Sequence, residues 1–280
     1  MHAAPWVGAK GGRIWLFAGT GEGPAMARVL LQRGWRLRIS VVSAPAARAY
    51  GTAAGQELRV GALAGEGALA QELLAARRDG EGFTWVVDAS HPFACRISAS
   101  LASVCADLGQ PLWRLQRPLL PLGQAEGLAD LSELAHQGLA GERLLLAIGA
   151  RLLAAAVRLT PGAVHHGRIL PLPLALQQAT AAGLDPSRIA CLRPGGDGAI
   201  ERALCRQWRL TCVVARRSGG TNEALWHGIA AEQGLRLLLL DRPPEPLGAR
   251  ILPQGPLLEA LGWPGPDGPS GGCSAQAPAR

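Results

Sequence analysis

The sequence predicts an α/β protein built of two Rossmann-like domains, each a mainly parallel sheet flanked by helices. Three observations carry that expectation. Short apolar runs alternate with helical stretches, several runs end in glycine-rich or polar turns, and the alternation starts twice along the chain. Residues 13–18 form the first apolar run and pass through Gly19-Thr20-Gly21-Glu22-Gly23 into a helical stretch at 24–33. A strand at 36–42 ends at Ser43. A further apolar run at 83–87 ends at Asp88 and precedes an alanine-rich helix at 94–108. Residues 111–115 close this first series before Gln116-Arg117-Pro118. After a stretch rich in Leu, Pro and Gly, a second series opens at 143–148. It continues with a strand at 188–192, a helix at 198–207, a strand at 210–215, a helix at 222–233 and a strand at 235–240. The expected boundaries are 13–120 for the N-terminal Rossmann-like domain and 121–263 for the C-terminal α/β domain. From 264 to 280, Pro, Gly, Ser and Ala replace the apolar periodicity, and a disordered tail is expected.

Composition narrows the function classes. At 280 residues, 48% of them hydrophobic, the chain is long enough to bury two cores without disulfides or metals. The 28 Lys+Arg outweigh 21 Asp+Glu for a net +7, and nearly all the cations are Arg, which suits carboxylate or phosphate capture. The arginines are scattered among element ends with no interleaved aromatic platform, which argues against nucleic acid. Six cysteines at unrelated spacings, without a Cys-x-x-Cys pair, point to buried reduced thiols rather than a metal site. Residues 1–12 lack a signal-peptide core and no apolar run has membrane-span length, so a cytoplasmic protein with no membrane partner is expected.

Four segments carry candidate chemistry. In Gly19-Thr20-Gly21-Glu22, glycine permits a sharp turn and lets backbone N–H groups approach an anion at a helix N-terminus. The third glycine, Gly23, comes one residue earlier than in the dinucleotide fingerprint, so an ordinary strand–helix turn is the competing reading. At the end of the second strand stands Ser43 rather than an acid, with Arg48 shortly after, a pattern that favours a 2′-phosphorylated dinucleotide, NADPH over NADH, with Arg48 as a solvated loop residue and NADH as the competing readings. Asp88-Ala89-Ser90-His91-Pro92-Phe93 follows a strand and so falls at the carboxyl end of a sheet, where open α/β folds place ligands. Asp88 and Ser90 equally suit helix capping. Pro92 restricts the backbone of His91, whose imidazole suits a substrate carboxylate or a proton transfer, a structural histidine being the alternative. Arg216-Arg217-Ser218-Gly219-Gly220 precedes another helix and reads either as a second anion site or as an exposed basic turn. Arg117 and Arg242, each before a proline at a strand end, would add cations to it or simply terminate strands.

Taken together these segments resemble the precorrin-6A reductases of cobalamin biosynthesis. The resemblance rests on Gly19-Thr20-Gly21-Glu22, on Asp88-Ala89-Ser90-His91-Pro92-Phe93-Ala94 with Ile97-Ser98, on Leu115-Gln116-Arg117-Pro118, and on Arg216-Arg217-Ser218-Gly219-Gly220 with Arg242-Pro243. It spans residues 13 to 245 in outline. It implies hydride transfer from NADPH to a double bond of precorrin-6A, or of its cobalt-containing analogue, giving the 6B product. On that reading Gly19, Thr20, Gly21, Glu22, Ser43 and Arg48 hold the cofactor, and His91 with Asp88 serves catalysis. Ser90, His91, Arg117, Arg216, Arg217, Ser218, Gly219, Gly220 and Arg242 bind the carboxylate-rich tetrapyrrole, and no metal is required. Other enzymes of the same pathway are the expected protein partners. The family commonly has Lys where this chain has Arg216, and Ala-Gly-Arg where it reads Ala44-Pro45-Ala46-Ala47-Arg48.

Two other classes stay open at this point. A small-substrate NADP-dependent reductase would need a Tyr-Lys acid pair, yet Tyr50 and Lys10 lie in no common helix. A non-catalytic NADPH sensor would bind the dinucleotide without affinity for a tetrapyrrole.

Overall fold

The computed structural model describes residues 12–19, 21–193 and 196–262. They form two compact units. The first holds the described residues up to Gln116 together with those from Pro244 onward, and the second holds Arg117–Pro243.

The first unit runs β1 (Arg13–Ala18), α1 (Glu22–Gln32), β2 (Arg36–Val41), α2 (Ala44–Ala47), β3 (Gln56–Val60), α3 (Gly65–Arg78), β4 (Trp85–Ala89), α4 (Cys95–Asp107) and β5 (Leu112–Gln116). It then takes back β12 (Arg250–Pro253) and α9 (Gln254–Leu261) from the far end of the chain. Its six strands lie in the order β12-β5-β4-β1-β2-β3, and every neighbouring pair is parallel. Strand alternation sorts the side chains between two cores. Ile14, Leu16 and Ala18 face α1 and α9, where they meet Met26, Leu30, Leu257 and Leu261. Trp15 and Phe17 face the other way, toward Leu69 and Leu73 of α3 and Leu101 of α4. Each such fully buried apolar side chain contributes about 1.5–3 kcal/mol.

The second unit runs β6 (Glu126–Leu128), β7 (Arg143–Ala147), α5 (Ala150–Leu159), β8 (Val164–Ile169), α6 (Pro173–Ala181), β9 (Ile189–Cys191), α7 (Ala199–Gln207), β10 (Cys212–Arg216), α8 (Gly220–Gln233) and β11 (Arg236–Leu240). The sheet order is β6-β11-β10-β7-β8-β9, again parallel throughout. Leu145, Val213, Ala215, Leu237 and Leu239 pack against Trp226, Ile229 and Ala230 of α8.

The two parallel-sheet units match the expected fold class. The domain limits differ from 13–120 and 121–263. Residues 250–261 return to the first sheet because β12 covers the open edge of β5, with Ile251 opposite Arg114 and Leu252 opposite Leu115, and α9 buries three leucines in the α1 core. The expected tail at 264–280 lies outside the described residues. Of the described cysteines, Cys105, Cys205 and Cys212 are buried as expected, whereas Cys95 and Cys191 are exposed. Burial pushes the Cys105 and Cys212 thiols up to about 12.

Candidate active site

In the first sheet the strand order reverses between β1 and β4, and the loops leaving the carboxyl ends of these two strands flank the crevice where doubly wound folds bind ligands. Gly19 and Gly21 are exposed in the turn after β1, and among the described residues beyond their chain neighbours nothing lies within 4 Å of where a Cβ on either would stand. Gly21, the cap residue of α1, brings no side chain to the amides of the first helical turn. This open cradle fits a diphosphate. Glu22 is the first residue of α1, and Thr20 lies outside the described residues. The early third glycine has its own reason. A Cβ on Gly23 would stand 2.2 Å from the Tyr50 hydroxyl and 2.9 Å from the Ala18 Cβ, so the absent side chain makes room for a ring folded over the helix start. Tyr50, set aside in the sequence as a poor acid, is thus part of this wall, and burial pushes its hydroxyl pKa up.

Ser43 caps the short helix α2, its Oγ accepting from Ala46 N at 3.4 Å, and Arg48 is exposed at the start of the 3-10 turn Arg48–Tyr50. Both therefore stand beyond the end of β2, where the sequence placed the ribose contacts.

At the end of β4 the structure separates residues that the sequence had grouped. Asp88 is only 1% exposed, because it stands directly across from Arg114 on β5 and pairs with it. Its Oδ1 accepts from Ser90 N at 2.9 Å and its Oδ2 accepts from Arg114 Nη1. A carboxylate held this way on both oxygens fixes the turn that leads to Ser90 and His91. The cap position of α4 falls to Ala94, which makes no side-chain cap bond, rather than to Asp88 or Ser90. Ser90 is buried, its Oγ lying 3.3 Å from Ser98 Oγ. His91 is half-buried, with its ring 5.8 Å from that of Phe93, and its Nδ1 accepts from Phe93 N at 3.2 Å. With Nδ1 accepting, the neutral imidazole carries its proton on Nε2.

The expected cations of the second unit divide in the same way. Arg117 is buried. Arg217 pairs with Asp241 at 3.1 Å, and Arg242 donates to the carbonyls of Arg217, Arg117 and Pro118 at 2.9, 2.6 and 3.1 Å. Arg242 thus pins the backbone turns that prolines and glycines leave without ladder partners. Arg216 lies across Gly149, whose Cβ would stand 3.0 Å from its Nη2. Ser218 is buried, and Gly219 and Gly220 both hold φ of +71°. A Cβ on Gly219 would meet Arg242 Nη2 and the Pro118 carbonyl at 2.5 Å. Glu223, fully buried, accepts from Gly219 N and closes the loop. The sequence reading passed over Arg114, Glu223 and Glu245. Their local signal is a charge in an otherwise apolar strand for Arg114, at a helix start for Glu223, and in a proline-containing loop for Glu245.

Fold and turn together define a doubly wound α/β protein of dinucleotide-binding architecture. The family described as precorrin-6x reductase CbiJ/CobK matches residues 13–255, and this chain belongs to that family. Its membership makes it an oxidoreductase. A cobalt-precorrin-6A reductase of Synechocystis sp. is 34% identical over 236 residues, 82% of this chain and 88% of that protein. A precorrin-6A reductase of Mycobacterium tuberculosis is 31% identical over 241 residues, 84% of this chain and 91% of that one. The solved structure titled CobK precorrin-6A reductase shares the fold, with a TM-score of 0.68 at 23% identity over 91% of this chain and 99% of that one. Among the described residues no helix is long and apolar enough to cross a membrane.

Proposed function

We propose that this chain reduces precorrin-6A, or its cobalt-containing counterpart, with NADPH as the hydride donor. The observation that carries the cofactor side is the pair Gly19 and Gly21 in the turn after β1, where among the described residues beyond their chain neighbours nothing lies within 4 Å of either Cβ position and Gly21 itself caps α1. Backbone N–H groups of this turn and of Glu22 receive the diphosphate. Ser43 and Arg48 take the ribose side; Arg48 is exposed and no acid stands at Ser43, which supports the 2′-phosphorylated dinucleotide. The bound dinucleotide supplies the hydride. His91 offers Nε2–H, a donor suited to a substrate carboxylate or to the proton that accompanies reduction. Arg216 takes a substrate carboxylate, while Arg117, Arg217 and Arg242 hold the loops around it.

Deuteride transfer tests the reaction. NADPH carrying deuterium at both nicotinamide C4 positions should deliver one deuterium to the tetrapyrrole product, read by mass spectrometry. A product without label would rule out direct transfer. Arg48→Ala should lose most of any preference for NADPH over NADH in a fluorescence titration, and an unchanged ratio would remove Arg48 from the site.

A further inference from the structure

The polar groups at the end of β4 are organised around one buried guanidinium, and one of its partners comes from the opposite end of the chain. Arg114 is 3% exposed. Its Nη1 donates to Asp88 Oδ2 and, at 2.7 Å, to Ser98 Oγ, while its Nε donates to Glu245 Oε2. Contacts on two sides of a planar guanidinium fix its plane as well as its position. Burial opposes its charge, but Asp88 and Glu245 more than offset this and hold its pKa above the ordinary value. From Arg114 the order passes inward. Asp88, held on Oδ2, fixes the Ser90 amide with Oδ1, and Ser98 holds the Ser90 hydroxyl. The next residue is His91, whose Nδ1 is set by Phe93 N. Glu245 belongs to the stretch that re-enters the first unit just after the second one ends.

We propose that Arg114 and Glu245 are positioning residues that hold the Ser90–His91 turn so that His91 presents Nε2–H. The stretch following the second unit therefore takes part in setting the imidazole. Only the consequence for turnover rests on the function proposed above. The positioning itself is read from His91 directly.

The test uses the full chain with 15N-labelled histidine and long-range 1H–15N correlations, the His91 signal being assigned by its loss in His91→Gln. The wild type should show the Nε2–H tautomer. Glu245→Gln removes the charge from a partly exposed side chain, and Ser98→Ala removes a hydroxyl, so both variants should keep a cooperative thermal transition. Each should convert the His91 signal toward a mixture of tautomers and lower kcat about tenfold, in keeping with the cost of misplaced catalytic groups. The NADPH dissociation constant should stay within about twofold of wild type, since the cradle after β1 is untouched. An unchanged His91 signal in both variants would overturn the proposal. A shifted signal with unchanged kcat would uphold the positioning and remove His91 from the reaction, which separates the two readings.

Discussion

The hydroxyl of Tyr50 occupies the space that a side chain on Gly23 would fill, 2.2 Å from the position of its Cβ. The short helical segment after β2, which carries Ser43 and Arg48, is thereby seated on the first turn of α1. Gly23→Ala should push the ring away and destabilise the protein by about 1–3 kcal/mol, the usual range for overpacking. It should also weaken NADPH binding, while Tyr50→Phe should leave the packing intact. Thermal melts with dinucleotide titrations check this, and a Gly23→Ala protein with unchanged melting and affinity would contradict it.

Arg168 and Glu201 form a buried pair at 2.9 Å in the second unit, with side chains 8% and 5% exposed. Glu201→Ala strands a guanidinium in the core and should cost about 3–5 kcal/mol in urea unfolding. Arg168→Met combined with Glu201→Leu should recover most of that loss. A double variant no more stable than Glu201→Ala would show that the loss is a packing effect.

His166 on β8 is 1% exposed, its Nδ1 has no hydrogen-bond partner among the described residues, and its ring lies 4.9 Å from that of Trp208. Burial first, and Arg143 second, push its pKa down from 6.5 to about 4. As pH falls below 6.5, the unfolded chain takes up a proton here that the folded protein refuses until about pH 4. The stabilisation is therefore fully present above 6.5 and is lost across that window, amounting to about 3 kcal/mol in full. Urea midpoints at neutral and mildly acidic pH should fall steeply for the wild type and less steeply for His166→Leu. Equal slopes would place the acid sensitivity elsewhere.

Gly149 holds φ of +86°, and the Arg216 guanidinium lies where its side chain would be. Gly149→Ala combines the backbone strain of a positive φ with extended ψ, about 1–3 kcal/mol, with displacement of that guanidinium. It should raise KM for the tetrapyrrole and leave NADPH affinity unchanged. An unaltered KM in a stably folded variant would move Arg216 out of the substrate site.

The architecture was readable wherever burial makes a strand continuously apolar, as in β1, β7, β10 and β11. It was hidden where local pattern and tertiary role part company. Strand β8 reads Val-His-His-Gly-Arg-Ile and became a strand only through its parallel partners β7 and β9. Strand β12 contains a proline and pairs with β5 across the whole second unit, a contact that no local period records. The site shows the same division. The proposed location at the ends of β1 and β4 rests on glycine and proline chemistry that the sequence already displays. The duties of Asp88 and Arg242 do not, because they depend on Arg114 across the sheet and on carbonyls distant in sequence. An ionic side chain beside a turn looks identical in sequence whether it meets a ligand or holds the backbone that does.

The most direct test of the central claim is anaerobic oxidation of NADPH by the purified protein, with precorrin-6A and separately with cobalt-precorrin-6A, followed at the nicotinamide and macrocycle absorbance bands. Loss of reduced nicotinamide in step with a change in the macrocycle spectrum is the predicted result, and the substrate that supports it identifies the branch. Tight NADPH binding without oxidation by either substrate would contradict the assigned reaction.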